Sequence, residues 1–170
     1  AFTMSMFWLW LTLTRMEEGV PDWLSFDYSI SRKWKVRVGF LSLGAFVSIF
    51  SGTFVSTTPG ANFGCGVDGL PDSWPLCNGK IIDSVEDIVA QSQIIHRWFV
   101  GLMLIALIFA SYSISNEESG NNILRNWIWG STFLFFLNTS IGAIYVLSWD
   151  LEEGFFEFLS LVHLMMASLT

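Results

Sequence analysis

Three stretches of this chain, residues 38–55, 94–114 and 127–149, are apolar over lengths that can cross a lipid bilayer. About 20 residues at a 1.5 Å rise span the hydrocarbon core. Within that core every backbone N–H and C=O needs an internal partner, which leaves helices as the expected elements. A fourth apolar run, 155–170, is shorter. Composition agrees with a lipid environment: 52% of the residues are hydrophobic, the mean hydropathy is +0.53 and 14% are charged, against about 25% in a soluble domain. The expected fold class is an all-α membrane protein, a four-helix transmembrane bundle.

Residues 1–14 (AFTMSMFWLWLTLT) are apolar but too few to span. A clipped helix and a helix lying in the interface are both open readings. No basic region precedes this run, which argues against a signal peptide. The chain is thus divided into an N-terminal apolar or interfacial segment with a cytoplasmic linker, 1–35, and a membrane domain, 36–170. Arg32, Lys33, Lys35 and Arg37 make up half of the eight Lys and Arg. By the positive-inside rule this cluster sets the start of the first helix in the cytoplasm of a multi-pass cell-membrane protein. The net charge of −7 comes from acidic residues gathered in loops, so the lipid bilayer is an expected partner and nucleic acid is not.

The first helix carries Gly44, Ser48, Gly52 and Ser56 at a spacing of four, a small-residue stripe that lets another helix approach closely. Residues 57–83 then form an extracytoplasmic loop rich in Gly and Pro, which holds both cysteines, Cys65 and Cys77. An oxidising outer face favours a disulfide there, worth roughly 3 kcal/mol in the chain-entropy account. A structural bridge and a redox-active pair are the two readings. Asp83, Ser84, Val85 and Glu86 have the form of a capping box, which predicts that the second helix starts near Ser84. Residues 116–122 are an inner turn and 150–154 an outer one. Asn138 and Gly142, one turn apart on the third helix, are expected to face the bundle, because an amide facing lipid is costly.

Only two histidines occur, His96 and His163, and both fall within apolar segments. An ionisable side chain at membrane depth is a functional hypothesis by default. His96 lies two residues into its run and His163 eight past Phe155, about 12 Å along the axis, so tilt can bring the two together in the outer half. Bis-histidine ligation across a helical bundle is a common way to hold a haem; the alternative is that each ring hydrogen-bonds a backbone carbonyl. Arg97 is placed either to pair with a haem propionate or to reach lipid phosphate. Gln93, one turn before His96, shares its face.

These residues occur in a recognisable order. Ser51-Gly-Thr-Phe-Val-Ser-Thr-Thr-Pro-Gly60, Cys65, Trp74-Pro-Leu-Cys-Asn-Gly79 and Ile95-His-Arg97 resemble the haem A synthase family. There a first-helix turn is followed by a Trp-Pro-x-Cys-Asn-Gly loop and a Glu-x-x-His-Arg motif. Asn138-Thr-Ser-Ile-Gly-Ala-Ile-Tyr-Val146 and Val162-His-Leu-Met-Met-Ala167 are similar to that family's third- and fourth-helix segments. The resemblance implies conversion of haem O to haem A by oxidation of a ring methyl to a formyl group. It also implies His96 and His163 as ligands of the haem iron, Cys65 and Cys77 as the loop pair, and Gln93 at the position of the catalytic glutamate. Expected partners are a second copy of the chain or a larger membrane complex, with a terminal oxidase or haem O synthase among them. The chain departs from the family pattern in three ways: Gln93 replaces the glutamate, the cysteine loop is longer, and only one of the two bundle halves of bacterial members is present. An amide cannot act as a carboxylate base, so a non-catalytic relative, serving as a haem-binding or structural subunit of a membrane complex, is the competing expectation.

Overall fold

The computed structural model describes residues 30–82, 87–117, 122–148 and 155–168. It contains four α-helices: α1, Arg32–Thr57; α2, Ile88–Asn116; α3, Asn122–Leu147; and α4, Phe155–Ala167. The first three are long and apolar enough to cross a membrane, and α4 is a shorter apolar helix of 13 residues. The apolar segment 1–14 and the whole 150–154 turn lie outside the described residues, as does Asp83–Glu86 of the expected capping box.

Local chemistry explains where the helices begin. Ser31 caps α1, its Oγ accepting from Trp34 N at 3.4 Å, so α1 starts six residues before the apolar run and the basic cluster forms its first turns. The start of α2 differs from the expected one near Ser84. The helix begins at Ile88, capped by Asp87, whose carboxylate accepts from Val89 N at 2.9 Å. An Asp directly before the helix satisfies one of the orphan N–H groups.

Successive helices pack on one another: α1 on α2, α2 on α3 and α3 on α4. Most of the small-residue stripe faces α2. A Cβ at Gly44 would fall 2.7 Å from Met103 Sδ and one at Gly52 3.0 Å from His96 Cε1, and Ser48 is buried. Ser56, the last of the four, is exposed. Between α2 and α3 the hydroxyls of Ser111 and Thr132 share a hydrogen bond of 2.8 Å, both buried.

The loop after α1 folds over the start of α2. Cys65 and Cys77 form a disulfide that packs with Ala90 and Ile94. At Gly64 the loop backbone rests directly on the helix, since a Cβ there would come within 2.7 Å of the Val89 carbonyl. Phe63, in the 3-10 turn Ala61–Phe63, stacks on Phe156 of α4 at 5.6 Å, and Phe156 in turn meets Tyr145 of α3 at 4.4 Å. The loop therefore covers the same end of the bundle as the α3–α4 junction.

At the opposite end, Trp34 packs with Ala110, Ile114, Leu124 and Ile128. There Glu117, just past α2, accepts from Lys33 and from the Trp34 indole N–H and lies 3.4 Å from Arg37. The hydrogen bonds from Lys33 and Trp34, with the charges of Lys33 and Arg37, hold its carboxyl below the usual value. A carboxyl whose folded value is depressed stabilises the fold above its unfolded value, and that contribution disappears as pH falls through the folded one. The cluster is solvent-screened, so its effect is modest. Glu117→Gln is expected to lower the unfolding temperature of the detergent-solubilised protein near neutral pH, with the difference closing in strong acid. A difference that persists in acid would show that the carboxylate charge is not its source.

Candidate functional site

The two histidines occupy equivalent places in two helix pairs. His96 stands eight residues past the first residue of α2, and His163 eight past the first of α4. Both helices start at the loop-covered end, so each ring lies about 12 Å along its axis from that end. Each ring also lies on a glycine of the preceding helix. A Cβ at Gly52 of α1 would approach the His96 ring to 3.0 Å, and one at Gly142 of α3 would approach the His163 ring to 2.8 Å.

The hydrogen bonds fix which ring nitrogen carries the proton. Ser51 Oγ donates to the Ser48 carbonyl at 2.8 Å, so at 2.9 Å it accepts from His96 Nδ1. His163 Nδ1 lies 3.1 Å from the Asn138 carbonyl, which can only accept. Both neutral imidazoles are thereby held as Nδ1–H tautomers with the lone pair on Nε2. Among the described residues no hydrogen bond reaches either Nε2. A hydrogen-bond acceptor on one ring nitrogen that leaves the other free is the usual arrangement of a metal-binding histidine. The helices that carry these rings, α2 and α4, are not closely packed on each other. Asn138 also brings its side chain to this region, and its Oδ1 is buried with no partner among the described residues.

Gln93 and Arg97 do different work from His96, although they share its helix. Gln93 is 5% exposed. Its Nε2 donates to the carbonyls of Ala61 at 2.7 Å and Asn62 at 3.1 Å, and its Oε1 accepts from Arg97 Nη2 at 2.8 Å. Arg97 Nη1 donates to the carbonyls of Ser73 at 2.9 Å and Leu76 at 2.7 Å. Together the two side chains clamp both arms of the disulfide loop onto α2. The protein-side partners of Arg97 are therefore loop carbonyls. Its Nε–H and one Nη2–H take no part in these bonds.

Ser51 was not legible as a functional residue, because only its place beside Gly52 in a serine-rich turn of α1 hints at it. The loop clamp was hidden for a related reason: its acceptors are backbone carbonyls some twenty to thirty positions away in sequence. Two clefts, of about 460 and 220 Å³, lie elsewhere, the first between α1 and α2 and the second between α2 and α3.

Part of the chain is similar to a known protein. Over 72 residues it is 38% identical to a heme A synthase from an Exiguobacterium species, a match that covers 41% of this chain and 22% of that protein. The match thus spans about a fifth of the length of that curated relative. No protein-family model and no solved structure matches the chain.

The clamp gives a direct expectation. Gln93→Glu keeps the Arg97 contact but sets a carboxylate against two carbonyl oxygens in place of two hydrogen bonds. Losing buried partners costs about 1–3 kcal/mol. The variant should unfold at lower temperature and its 58–82 loop should be cut faster by protease; unchanged stability and cleavage would show that the amide donors do not hold the loop.

Proposed function

We propose that the chain binds a haem, which His96 of α2 and His163 of α4 would hold through their ring nitrogens. In this reading it acts as a haem A synthase-like membrane protein, oxidising a methyl group of haem O to the formyl group of haem A, with the oxygen taken from water and the electrons and protons released to an external acceptor. The observation that carries the reading is the matched pair of imidazoles: same depth, same tautomer, each Nε2 free. Two histidines satisfying unrelated core positions have no reason to agree in all three.

The surroundings suit a large apolar group with a few polar contacts. α2 and α4 make little direct packing contact with each other, and Oδ1 of Asn138, the residue whose carbonyl meets His163, is buried with no partner among the described residues. A bound haem would supply the redox chemistry, its potential set by axial ligands, hydrogen bonding and burial. The residues of the chain hold and orient. Ser51 and the Asn138 carbonyl keep each ring in the ligating tautomer and raise its basicity. Gly52 and Gly142 let each ring lie close against the neighbouring helix. The free N–H groups of Arg97 are placed to meet a propionate, where a charge-assisted bond is strong. The disulfide loop, on the extracytoplasmic side by the positive-inside rule, covers this end of the bundle, and a second copy or a larger membrane complex completes the assembly.

Gln93 favours a second reading. Both of its amide protons are committed to loop carbonyls, and an amide does not exchange a proton as a carboxylate does. A relative that binds haem without oxidising it, as a subunit of a respiratory or other membrane complex, would retain every feature above. Co-expression with haem O synthase, in a host without its own haem A synthase, separates the readings by the haems extracted. The first predicts haem A in the membranes. Bound haem without haem A would leave the second, and a purified chain free of haem would contradict both.

A further inference from the structure

We infer that the cleft between α1 and α2 is a binding site for one anionic diacyl phospholipid, its phosphate on Arg37 and an acyl chain along the cleft. This inference does not depend on the haem reading. The cleft holds about 460 Å³ and is lined by Arg37, Phe40, Leu41 and Gly44 on α1 and by residues from Phe99 to Ser113 on α2. Its volume is in the range of small-molecule sites, about 300–1,000 Å³.

Its polarity is one-ended. Arg37 and Ser113 lie where α1 begins and α2 ends, and the remaining lining is glycine, alanine and large apolar side chains. Along α2 the lining runs from Phe99 to Ser113, fourteen helical steps or about 21 Å at the helical rise. Half of a hydrocarbon core about 30 Å thick is about 15 Å. The cleft thus runs from a membrane interface across one leaflet, with a cationic group at the interfacial end. That is the shape and polarity of an amphiphile with an anionic head.

The charge around Arg37 points the same way. Lys33 lies one turn before it on the same face, and Arg32 and Lys35 are exposed on the adjacent turns. Among the described residues Glu117 is the carboxylate that contacts this cluster, and its close partners are Lys33 and Trp34, with Arg37 at 3.4 Å. Among the described residues at this end, the four cations Arg32, Lys33, Lys35 and Arg37 outnumber the one carboxylate in contact with them, Glu117. Basic groups at a helix end, beside a groove between membrane helices, are a recurrent seat for anionic lipid headgroups. The Arg37 guanidinium is also steadied over the Trp34 ring at 4.7 Å, and with Nη1 on Glu117 at 3.4 Å its other N–H groups are the ones offered to a phosphate.

Native mass spectrometry of the full chain in mild detergent, with phosphatidylglycerol or phosphatidylcholine added, tests the site. One phosphatidylglycerol should stay bound per chain, at least tenfold in preference to phosphatidylcholine. Arg37→Gln should remove the preference, and Ala106→Phe, which fills the cleft, should reduce retention of both lipids. Unfolding curves of both variants verify that they are folded, and either variant alone is informative. Equal retention of the two lipids would overturn the proposal, as would wild-type retention in both folded variants. So would a dimer whose cross-links from Ala106→Cys run through the cleft, since a second copy would then be the occupant.

Discussion

Two close approaches organise this bundle: an imidazole against Gly52 and an imidazole against Gly142. A glycine in a helix interior costs about 1 kcal/mol relative to alanine, so its presence at both positions needs a compensating contact. That contact is the ring, which a Cβ would meet at 3.0 Å in one pair and 2.8 Å in the other. In lipid there is little hydrophobic gain in bringing helices together, and small residues that allow close packing take over that role. The same glycines therefore set how α1 meets α2 and α3 meets α4, and they fix where each Nε2 is presented. Helix packing and ligand geometry are one constraint here.

The disulfide loop adds a second layer. It is bound to α2 by backbone contact at Gly64, by the four loop carbonyls that Gln93 and Arg97 engage, and by the Phe63–Phe156 stack to α4. The loop thus links the two helices that carry the histidines without either helix packing closely on the other. In this chain the Gln93 amide is part of the scaffold that holds the loop on α2.

The helices themselves were legible, because apolar runs of membrane-crossing length leave the backbone little alternative to hydrogen-bonding within itself. The stripe at Gly44, Ser48 and Gly52 correctly marked the face of α1 toward α2, and Asn138 with Gly142 marked the face of α3 toward α4. The boundaries were less legible. Asp83–Glu86 read as the capping box of the second helix, whereas the cap is Asp87, a single Asp with no box pattern after it to mark it in the sequence. His96 and His163 stood out as the chain's two histidines, yet their tautomers depend on a hydroxyl and a carbonyl from other helices. Glu117 sat in what read as a polar turn, and its partners Lys33, Trp34 and Arg37 lie some eighty positions earlier.

The central claim is that His96 and His163 share one iron. Electron paramagnetic resonance of the ferric protein, loaded with one equivalent of haem, tests it most directly. The wild-type chain should give a low-spin bis-imidazole signal, and both His96→Ala and His163→Ala should turn it high-spin. A low-spin signal that survives in either single variant would contradict the claim.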